Sequence, residues 1–266
     1  MQQKEFLDYL RNLGKIAVAF SGGVDSSVLL RAAVEAVGRE HTLAISVYLA
    51  AVPQRERDFL EREAHAMNVT LVAVPFAMLD DPEISRNDLL RCYYCKRQLF
   101  SVMLEASRRR GFPHLLEGSN ADDLKVYRPG RKALEELGIP SPMAQFGLTK
   151  ADVRRLASQW NLASAEKPSV PCLATRVAYG IPLTPQLLAH LEAAEESLHN
   201  LLSPQDNFRV RVHEGELVRL ELSETDRQTF LSRPDLQQKW TETMKTLGFR
   251  FVTLDLEDFQ SGRFDQ

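Results

Sequence analysis

The sequence predicts an α/β protein with a doubly wound parallel sheet and a smaller C-terminal α/β domain. Short apolar runs at 16–20, 43–49 and 69–74 alternate with segments that carry apolar residues at helical spacing, which is typical of a parallel sheet. After residue 182 the pattern changes to a helix, a hairpin, further helix and a final strand. The expected domains are residues 1–166 and 167–266, divided in an irregular stretch with several prolines.

The elements of the first domain are predicted from the spacing of apolar residues and from the residues typical of turns and helix caps. Thr149, with Asp152 three positions later, predicts a helix start by a variant of the capping box. In chain order we predict helix 6–13, strand 16–20, helix 24–37, strand 43–49, helix 55–67, strand 69–74, loop 80–91, helix 93–110, strand 114–117, turn 127–130, helix 131–137 and helix 150–161.

The second domain begins at a predicted helix that Thr184 caps, with Pro185 at its first position and an end near residue 202. Residues 208–213 and 217–222 alternate in polarity around Glu-Gly-Glu, which indicates a β-hairpin. Residues 224–247 are mostly helical with an interruption at Pro234, and 249–256 form the last predicted strand. The expected order is therefore α-β-β-α-β.

Composition limits the classes of function. The 266 residues carry a formal net charge of −3, so nucleic acid is not an expected partner. Residues 1–12 lack the apolar core of a signal peptide, and no run approaches the length of a membrane span. We expect a cytoplasmic protein without membrane attachment, whose three cysteines need an explanation other than structural disulfides.

The turn at SGGVDSS, residues 21–27, is predicted to bind phosphate. It lies between a strand and a helix, so its glycines allow close approach and the first helical amides favour an anion. Neither GxxxxGK[ST] nor GxGxxG is present, and an ordinary Ser/Gly turn is the alternative. The turn resembles the pyrophosphate loop of the PP-loop ATP pyrophosphatases. That resemblance implies that ATP contacts residues of this turn and one serine of the second predicted strand, which lies near the adenosine. The turn residues are Ser21, Gly22, Gly23, Asp25 and Ser26, and the strand residue is Ser46.

A second turn, residues 118–123, follows a later strand and is expected at the same edge of the sheet. It supplies Gly118 as a further ATP-binding candidate, and it carries Asp122 and Asp123. Carboxylates beside a triphosphate are typical Mg²⁺ ligands, so Asp25, Asp122 and Asp123 are the candidates for holding Mg²⁺. A plain Asx-rich turn is the alternative.

The three cysteines form the second candidate set. Cys92 and Cys95 make a CxxC at a helix start, and Cys172 follows Pro171 in the irregular stretch. Three thiols can hold zinc, hold a [4Fe-4S] cluster, or form a transient disulfide with a persulfide carrier. They can also be three uninvolved cysteines, and the residues alone leave these alternatives open.

Arginines on loops and on one strand face are the third candidate set. Guanidinium groups match phosphate and carboxylate bidentately, so these positions are candidates for binding an anionic substrate. A surface ion pair is the alternative for any one of them. The candidate substrate-binding residues are Arg128, Arg176, Arg209, Arg211 and Arg263.

Motifs from both domains together resemble the LarE family of ATP-dependent sulfur transferases, which help to make the nickel-pincer nucleotide cofactor. The similarity covers about residues 5–264. The motifs are SGGVDSS, EGSNADD, YRPG, PCLATRVAYG, the FRVRVH and VRLEL strands, and FVTLDLEDFQSGR. The resemblance implies that ATP adenylates a carboxylate of pyridinium-3,5-biscarboxylic acid mononucleotide, and that sulfur then replaces an oxygen.

The resemblance also implies the roles of individual residues in the second domain. Arg209 and Arg211 match substrate-phosphate contacts, with Arg176 and Arg263 near the Cys172 loop. Two acidic positions in that domain match candidate metal ligands of the family, Glu195 and Glu221.

Two routes for the sulfur are consistent with the resemblance. In sacrificial members a cysteine that matches Cys172 surrenders its own sulfur and becomes dehydroalanine. The additional Cys92 and Cys95 instead resemble cluster-bearing members, in which three cysteines hold a [4Fe-4S] cluster that carries an extra sulfide. We favour the cluster route, with an unknown sulfide donor. The resemblance also implies that this protein forms a homo-oligomer, a trimer or a hexamer. A tRNA thiolase and a non-enzymatic nucleotide-binding module are the remaining alternatives.

Overall fold

The structure is a computed structural model, and it describes residues 2–125, 129–199, 202 and 208–259. By their contacts the residues divide into two compact units, 1–77 with 92–169, and 78–91 with 170–266. The chain therefore leaves the first unit at residue 77, returns to it at Cys92 and leaves it again after Ser169. From sequence, 78–91 is assigned to the first domain, whereas the contacts group this segment with the second unit.

The first unit contains alternating strands and helices, as predicted. Its elements, including one helix that begins at the boundary residue Arg91, are α1 (Gln2–Leu13), β1 (Ile16–Ala19), α2 (Val24–Val37), β2 (Thr42–Tyr48), α3 (Gln54–Ala66), β3 (Thr70–Pro75), α5 (Arg91–Arg109), β4 (His114–Leu116), α6 (Pro129–Glu136), α7 (Pro142–Gln145) and α8 (Lys150–Gln159). In the described part of the chain, no helix combines the length and the apolar character needed to cross a membrane.

Among the described residues, four parallel strands form the sheet of the first unit in the order β3-β2-β1-β4. The central strand β1 is paired on both sides, because Ile16 lies opposite Thr42 of β2 and opposite His114 of β4. Phe6 of α1 and Val28 of α2 belong to one buried cluster with residues of β1, α3 and α8. The predicted α/β class with a parallel sheet flanked by helices is confirmed, and the carboxyl ends of β1 and β4 are neighbours.

The second unit is built on a smaller sheet. Its elements are α4 (Pro82–Ser85), α9 (Pro185–His199), β5 (Phe208–His213), β6 (Leu217–Leu222), α10 (Glu224–Leu231), α11 (Pro234–Thr246) and β7 (Phe251–Asp258). Strands β5 and β6 form the predicted antiparallel hairpin, and β7 adds parallel to β6 after the crossover through α10 and α11. The hydroxyl of Thr184 accepts from the Leu187 amide at 3.1 Å, which confirms the predicted helix start.

Two short helices are absent from the sequence prediction. Helix α4 falls in the predicted loop 80–91, where Asp81 caps it and Pro82 occupies its first position. Helix α7 also starts at a proline, after Ser141. Each has four residues, about one helical turn, so neither is long enough to show the apolar periodicity that predicts a helix.

Candidate functional site

The predicted phosphate loop is a glycine turn between β1 and α2. Gly22 adopts a φ of +72°, and an added Cβ there would lie 2.8 Å from the Cβ of Leu60 on α3. Gly23 is the N-cap of α2 and provides no side-chain cap. Only glycine fits at Gly22, because the turn passes close to Leu60. A helix start without a side-chain cap, such as that of α2, favours an anion at its first amides.

Serine hydroxyls stabilise the shape of this turn. The Ser26 hydroxyl donates to the Gly23 carbonyl at 3.0 Å, lies 3.1 Å from the Ser21 hydroxyl, and accepts from the Ser21 amide at 3.2 Å. The Ser27 hydroxyl is buried and has no hydrogen-bond partner among the described residues. Two of the predicted ATP contacts, Ser21 and Ser26, therefore lie together at the start of α2, and their contact with ATP stays a prediction.

The second predicted turn packs directly on the first. A Cβ added at Gly118 would lie 3.0 Å from the Ser26 nitrogen and 3.2 Å from the Asp25 carbonyl carbon. The Asn120 side-chain amide donates to the Asp25 carboxylate at 3.0 Å. The structure thus brings Gly118 and Asp25 to one edge of the sheet, where β4 lies next to β1.

The carboxylates of this edge accept hydrogen bonds from the chain. The Asp123 carboxylate accepts a hydrogen bond from the backbone amide of Asn120 at 3.1 Å. Asp122 accepts from the Lys125 ammonium at 2.7 Å and from the Lys150 amide at 2.9 Å, and these bonds, the Lys125 bond first, lower its pKa. Within each unit, the described residues bring together no group of three His, Cys, Asp or Glu side chains that could hold a metal ion. The Mg²⁺ role of the aspartates stays a prediction.

Lys150 is a residue of this edge that the sequence patterns did not indicate. Its ammonium forms an ion pair with the Asp25 carboxylate. It is the first residue of α8, which begins with the capping box of Thr149 and Asp152. The hydroxyl of Thr149, followed by Arg155, lowers the pKa of Asp152 to about 2. The capping box locates the start of α8 from sequence, but it does not show that this start lies against the phosphate loop.

The predicted adenosine contact, Ser46, is buried in β2. Two residues later, the hydroxyl of Tyr48 hydrogen-bonds to the carboxylate of Glu61, and the Arg57 guanidinium lies 5.8 Å from the Tyr48 ring centroid. Burial first and the Glu61 bond second raise the pKa of Tyr48 to about 12. The phenol therefore stays protonated at neutral pH, and contact between Ser46 and an adenosine stays a prediction.

The two thiols of the CxxC lie in the first turn of α5. Cys92 and Cys95 are both half-buried, and their spacing of three residues puts them on the same side of the helix. Arg97 lies over the rings of Tyr93 and Tyr94, at 5.4 Å and 5.5 Å from their centroids. This pair of sulfur donors on one helical face fits two ligands of a thiolate-bound cluster.

The third thiol, Cys172, belongs to the second unit. It is half-buried and precedes a 3-10 turn over Leu173–Arg176. Its carbonyl accepts from the Thr175 amide at 3.0 Å and from the Thr175 hydroxyl at 2.8 Å. The backbone of Cys172 is therefore fixed by the short turn that follows it.

Three buried guanidinium groups bind the carbonyl oxygens around Cys172, and we call them the arginine clamp. Arg176 donates to the Pro171 carbonyl at 3.0 Å. Arg91 donates to the Ala174 carbonyl, and Arg211 to the Thr175 carbonyl, both at 2.9 Å. An irregular buried loop needs partners for its carbonyls, and here side chains distant in sequence supply them.

Buried carboxylates pair with two of the three arginines of the clamp, Arg176 and Arg211. Arg176 donates two bonds to Glu195, at 2.9 Å and 3.1 Å, and Glu195 also accepts from the Val210 amide. Burial opposes the ionisation of Glu195, but the charge and hydrogen bonds of Arg176 outweigh it and lower the pKa. Glu221 accepts from Arg211 at 3.0 Å and from Arg219 at 3.1 Å. Glu195 and Glu221 thus pair with arginines, and their role as metal ligands stays a prediction.

The candidate substrate arginines of the described chain are buried rather than on the surface. Arg209 donates to the Phe208 carbonyl at 2.6 Å and lies 4.6 Å from the Phe259 ring centroid. Like Arg176 and Arg211, it is buried. Their contact with a substrate stays a prediction, and the two other candidates, Arg128 and Arg263, lie outside the described residues.

Comparison with known proteins extends over nearly the whole chain. The chain is 32% identical over 256 residues to the pyridinium-3,5-bisthiocarboxylic acid mononucleotide synthase of Lactiplantibacillus plantarum, covering 96% of this chain and 91% of the relative. The chain belongs to this synthase family, the LarE family. No known protein-family profile matches it.

Two other relatives are also similar to this chain over almost its whole length. An uncharacterized protein of Synechocystis is 31% identical over 258 residues, which is 97% of this chain and 94% of the relative. An uncharacterized protein of Methanocaldococcus jannaschii is 27% identical over 252 residues, covering 93% and 91%. Both units of the chain take part in these matches.

Proposed function

We propose that this protein is an ATP-dependent sulfur transferase. It adenylates a carboxylate of pyridinium-3,5-biscarboxylic acid mononucleotide and converts it to a thiocarboxylate in nickel-pincer cofactor synthesis. The observation that carries the proposal is the similarity to the L. plantarum synthase over 96% of the chain. The name of that relative specifies a mononucleotide with two thiocarboxylic acid groups, so its synthesis needs a source of sulfur and an activated carboxyl group.

The activation step is assigned to the phosphate loop. A carboxylate oxygen of the substrate attacks the α-phosphorus of ATP, the bond to the β,γ-pyrophosphate breaks, and an acyl adenylate forms. The uncapped start of α2 and the hydroxyls of Ser21 and Ser26 favour the negative charge of the leaving pyrophosphate. Mg²⁺, held by Asp25, Asp122 and Asp123, would add positive charge at the phosphates.

The transfer step is assigned to the thiols. A sulfur nucleophile attacks the acyl carbon, the bond to the AMP oxygen breaks, and the thiocarboxylate and AMP are released. In the sacrificial alternative the nucleophile is the Cys172 thiolate. Loss of the Cys172 Cα proton and cleavage of its Cβ–S bond then leave dehydroalanine in the chain.

We favour transfer of sulfide that does not consume the chain. Cys92, Cys95 and Cys172 would hold a [4Fe-4S] cluster, and three protein ligands leave one iron for an additional sulfide. The support is the donor set, with two half-buried thiols one turn apart on α5 and a third thiol in a tightly hydrogen-bonded loop. Homo-oligomerisation and substrate-phosphate contacts from the candidate arginines belong to the same proposal.

The test is a single-turnover reaction with anaerobically reconstituted protein, the biscarboxylate mononucleotide, ATP, Mg²⁺ and sulfide. We expect release of AMP and a substrate in which sulfur replaces oxygen, while the intact mass of the protein chain stays unchanged. Cys172→Ser should abolish the thiocarboxylate under either route, whereas Cys92→Ser and Cys95→Ser should abolish it only under the cluster route.

The outcomes separate the alternatives. Loss of the elements of H₂S from the wild-type chain would establish the sacrificial route and overturn the cluster route. Absence of both AMP release and sulfur incorporation, with iron and sulfide present in the protein, would overturn the proposed function itself.

A further inference from the structure

The phosphate loop has no lysine of its own, yet a lysine reaches it from another element. The Lys150 ammonium at the start of α8 pairs with the carboxylate of Asp25 in the first turn of α2. We propose that Lys150 is the cation that binds the pyrophosphate portion of ATP, and that Asp25 holds it until the nucleotide arrives. This inference rests on the proposed use of ATP.

The local structure fixes the backbone of Lys150 and leaves its side chain able to move. Its amide donates to Asp122 at 2.9 Å, and the Thr149–Asp152 capping box holds the helix start. Its side chain, which is 38% exposed, pairs with one carboxylate oxygen of Asp25, and the other oxygen accepts from the Asn120 side chain at 3.0 Å. The ammonium therefore lies at the helix start that favours anions, on a four-carbon stem that can follow a ligand.

The negative charge of the aspartates beside the phosphate loop would repel a triphosphate unless a cation offset it. Asp25, Asp122 and Asp123 all lie on the two packed turns, and a triphosphate adds further negative charge beside them. Lys125 is 73% exposed and pairs with Asp122 on the outer side, whereas Lys150 is 38% exposed and pairs with the phosphate-loop residue itself. Lys150 is thus the described cation best placed to offset repulsion between Asp25 and the phosphates.

The pair is also easily exchanged. Both side chains remain partly exposed, at 38% and 27%, and ion pairs of this kind contribute little to stability. A phosphate group carries more negative charge and more acceptor oxygens than one carboxylate, so the nucleotide can take Lys150 from Asp25. The Asp25 oxygen that is released is then available as an oxygen ligand for Mg²⁺.

Calorimetric titration with ATP, pyrophosphate and AMP tests the inference on the full-length protein. Lys150→Met should weaken ATP and pyrophosphate binding by roughly tenfold or more, because a charged hydrogen bond is lost, and should change AMP binding by less than about threefold. Lys150→Arg should restore most of the affinity. The matched control Lys125→Met removes an exposed cation from the same edge and should change binding by less than about twofold.

Asp25→Asn separates ligand binding from a structural role of the pair. Without Mg²⁺, this variant should bind pyrophosphate more tightly than the wild type, because the resting partner of Lys150 is neutral. A purely structural pair predicts instead that Lys150→Met and Asp25→Asn weaken binding alike, and that result would overturn the inference.

The wild-type titration distinguishes the inference from the function on which it rests. Wild-type binding of ATP with equal pyrophosphate affinity in the folded Lys150→Met protein would overturn the role of Lys150 alone. Absence of ATP and pyrophosphate binding by the wild type would overturn the inference together with the proposed ATP chemistry.

Discussion

The two units use ion pairs of the same chemical type in opposite ways. At the phosphate loop, Lys150 and Asp25 are 38% and 27% exposed. In the arginine clamp, Arg176 and Glu195 are 1% and 5% exposed. Water competes for the first pair, so a ligand can replace either partner at small cost, whereas separation of the second pair would leave a charge in the protein interior. The first pair suits ligand exchange and the second suits a fixed loop.

The largest expected effect follows from breaking the buried pair. Glu195→Ala leaves Arg176 without its carboxylate and should reduce the free energy of unfolding of the second unit by about 3–5 kcal/mol. Urea denaturation followed by fluorescence measures this effect. Trp240 is buried in the second unit and Trp160 belongs to the first, so the Trp160→Phe background reports the second unit alone.

A double substitution sharpens this test. Arg176→Met combined with Glu195→Leu removes both charges and should recover much of the stability lost in Glu195→Ala, because no unpaired charge remains. The exposed pair of Arg233 and Asp235 in the second unit is the control, and Arg233→Ala should leave the free energy of unfolding of that unit almost unchanged. Equal losses in Glu195→Ala and Arg233→Ala would contradict the contrast between buried and exposed pairs.

The next effect concerns the backbone of the phosphate loop. Gly22→Ala meets both a positive φ and Leu60, whereas Gly14→Ala meets a φ of +75° with no atom within 4 Å of the new Cβ. Gly14→Ala should therefore cost about 1–2 kcal/mol from backbone strain, and Gly22→Ala should cost about 1–3 kcal/mol more from overpacking. Unfolding followed by Trp160 in the Trp240→Phe background measures both, and equal costs would show that α3 moves to accommodate the methyl group.

A smaller effect compares one helix cap from each unit. Thr149 caps α8 and Ser223 caps α10, and each accepts from the amide three residues later. Replacing either by alanine should cost about 1 kcal/mol in unfolding experiments. Thr149→Ala should additionally weaken ATP binding, because Lys150 follows directly, whereas Ser223→Ala should leave ATP binding unchanged. Equal ATP affinity in both variants would separate the α8 cap from the nucleotide site.

The smallest expected effect is a pH dependence of the second unit. Burial, followed by Arg219 and Arg211, lowers the pKa of His213 from 6.5. The unfolded chain then binds the proton more readily, so this contribution is present above pH 6.5 and is lost as the pH falls through 6.5 toward the lower folded pKa. His213→Gln should flatten the thermal stability of the second unit over that range. An unchanged pH profile would assign the acid sensitivity to other groups.

The sequence predicts best the features that are local in the chain. The phosphate loop is such a feature, because strand, glycine turn and helix start are contiguous from Ile16 to Ser27. The hairpin is predicted with its true strand limits, since alternation and the Glu-Gly-Glu turn determine its register. The edge at which loop 118–123 lies is also predicted correctly, because the loop follows a strand of the same parallel sheet, and that strand, β4, pairs with β1.

The remaining features depend on contacts between distant segments. Lys150 lies 125 positions from Asp25, and Arg91 lies 83 positions from Ala174, so no spacing in the sequence links either pair. Arg176 and Arg211 carry the expected charge, but burial and the carboxylates that face them become visible only after folding. Residue type indicates an anion partner for an arginine, and tertiary packing decides whether that partner is a ligand or a glutamate.

The C-terminal unit is built from two separate stretches of the chain, 78–91 and 170–266. The Asn87 side chain donates to the carbonyls of Ala178 and Ile181, both at 2.9 Å, so the segment inserted between Ala77 and Cys92 is a structural part of the C-terminal unit. A fragment that starts at residue 170 would lack this segment and its donors. A fragment of residues 170–266 should therefore reach the native structure of this unit only when a second fragment that contains residues 78–91 is present.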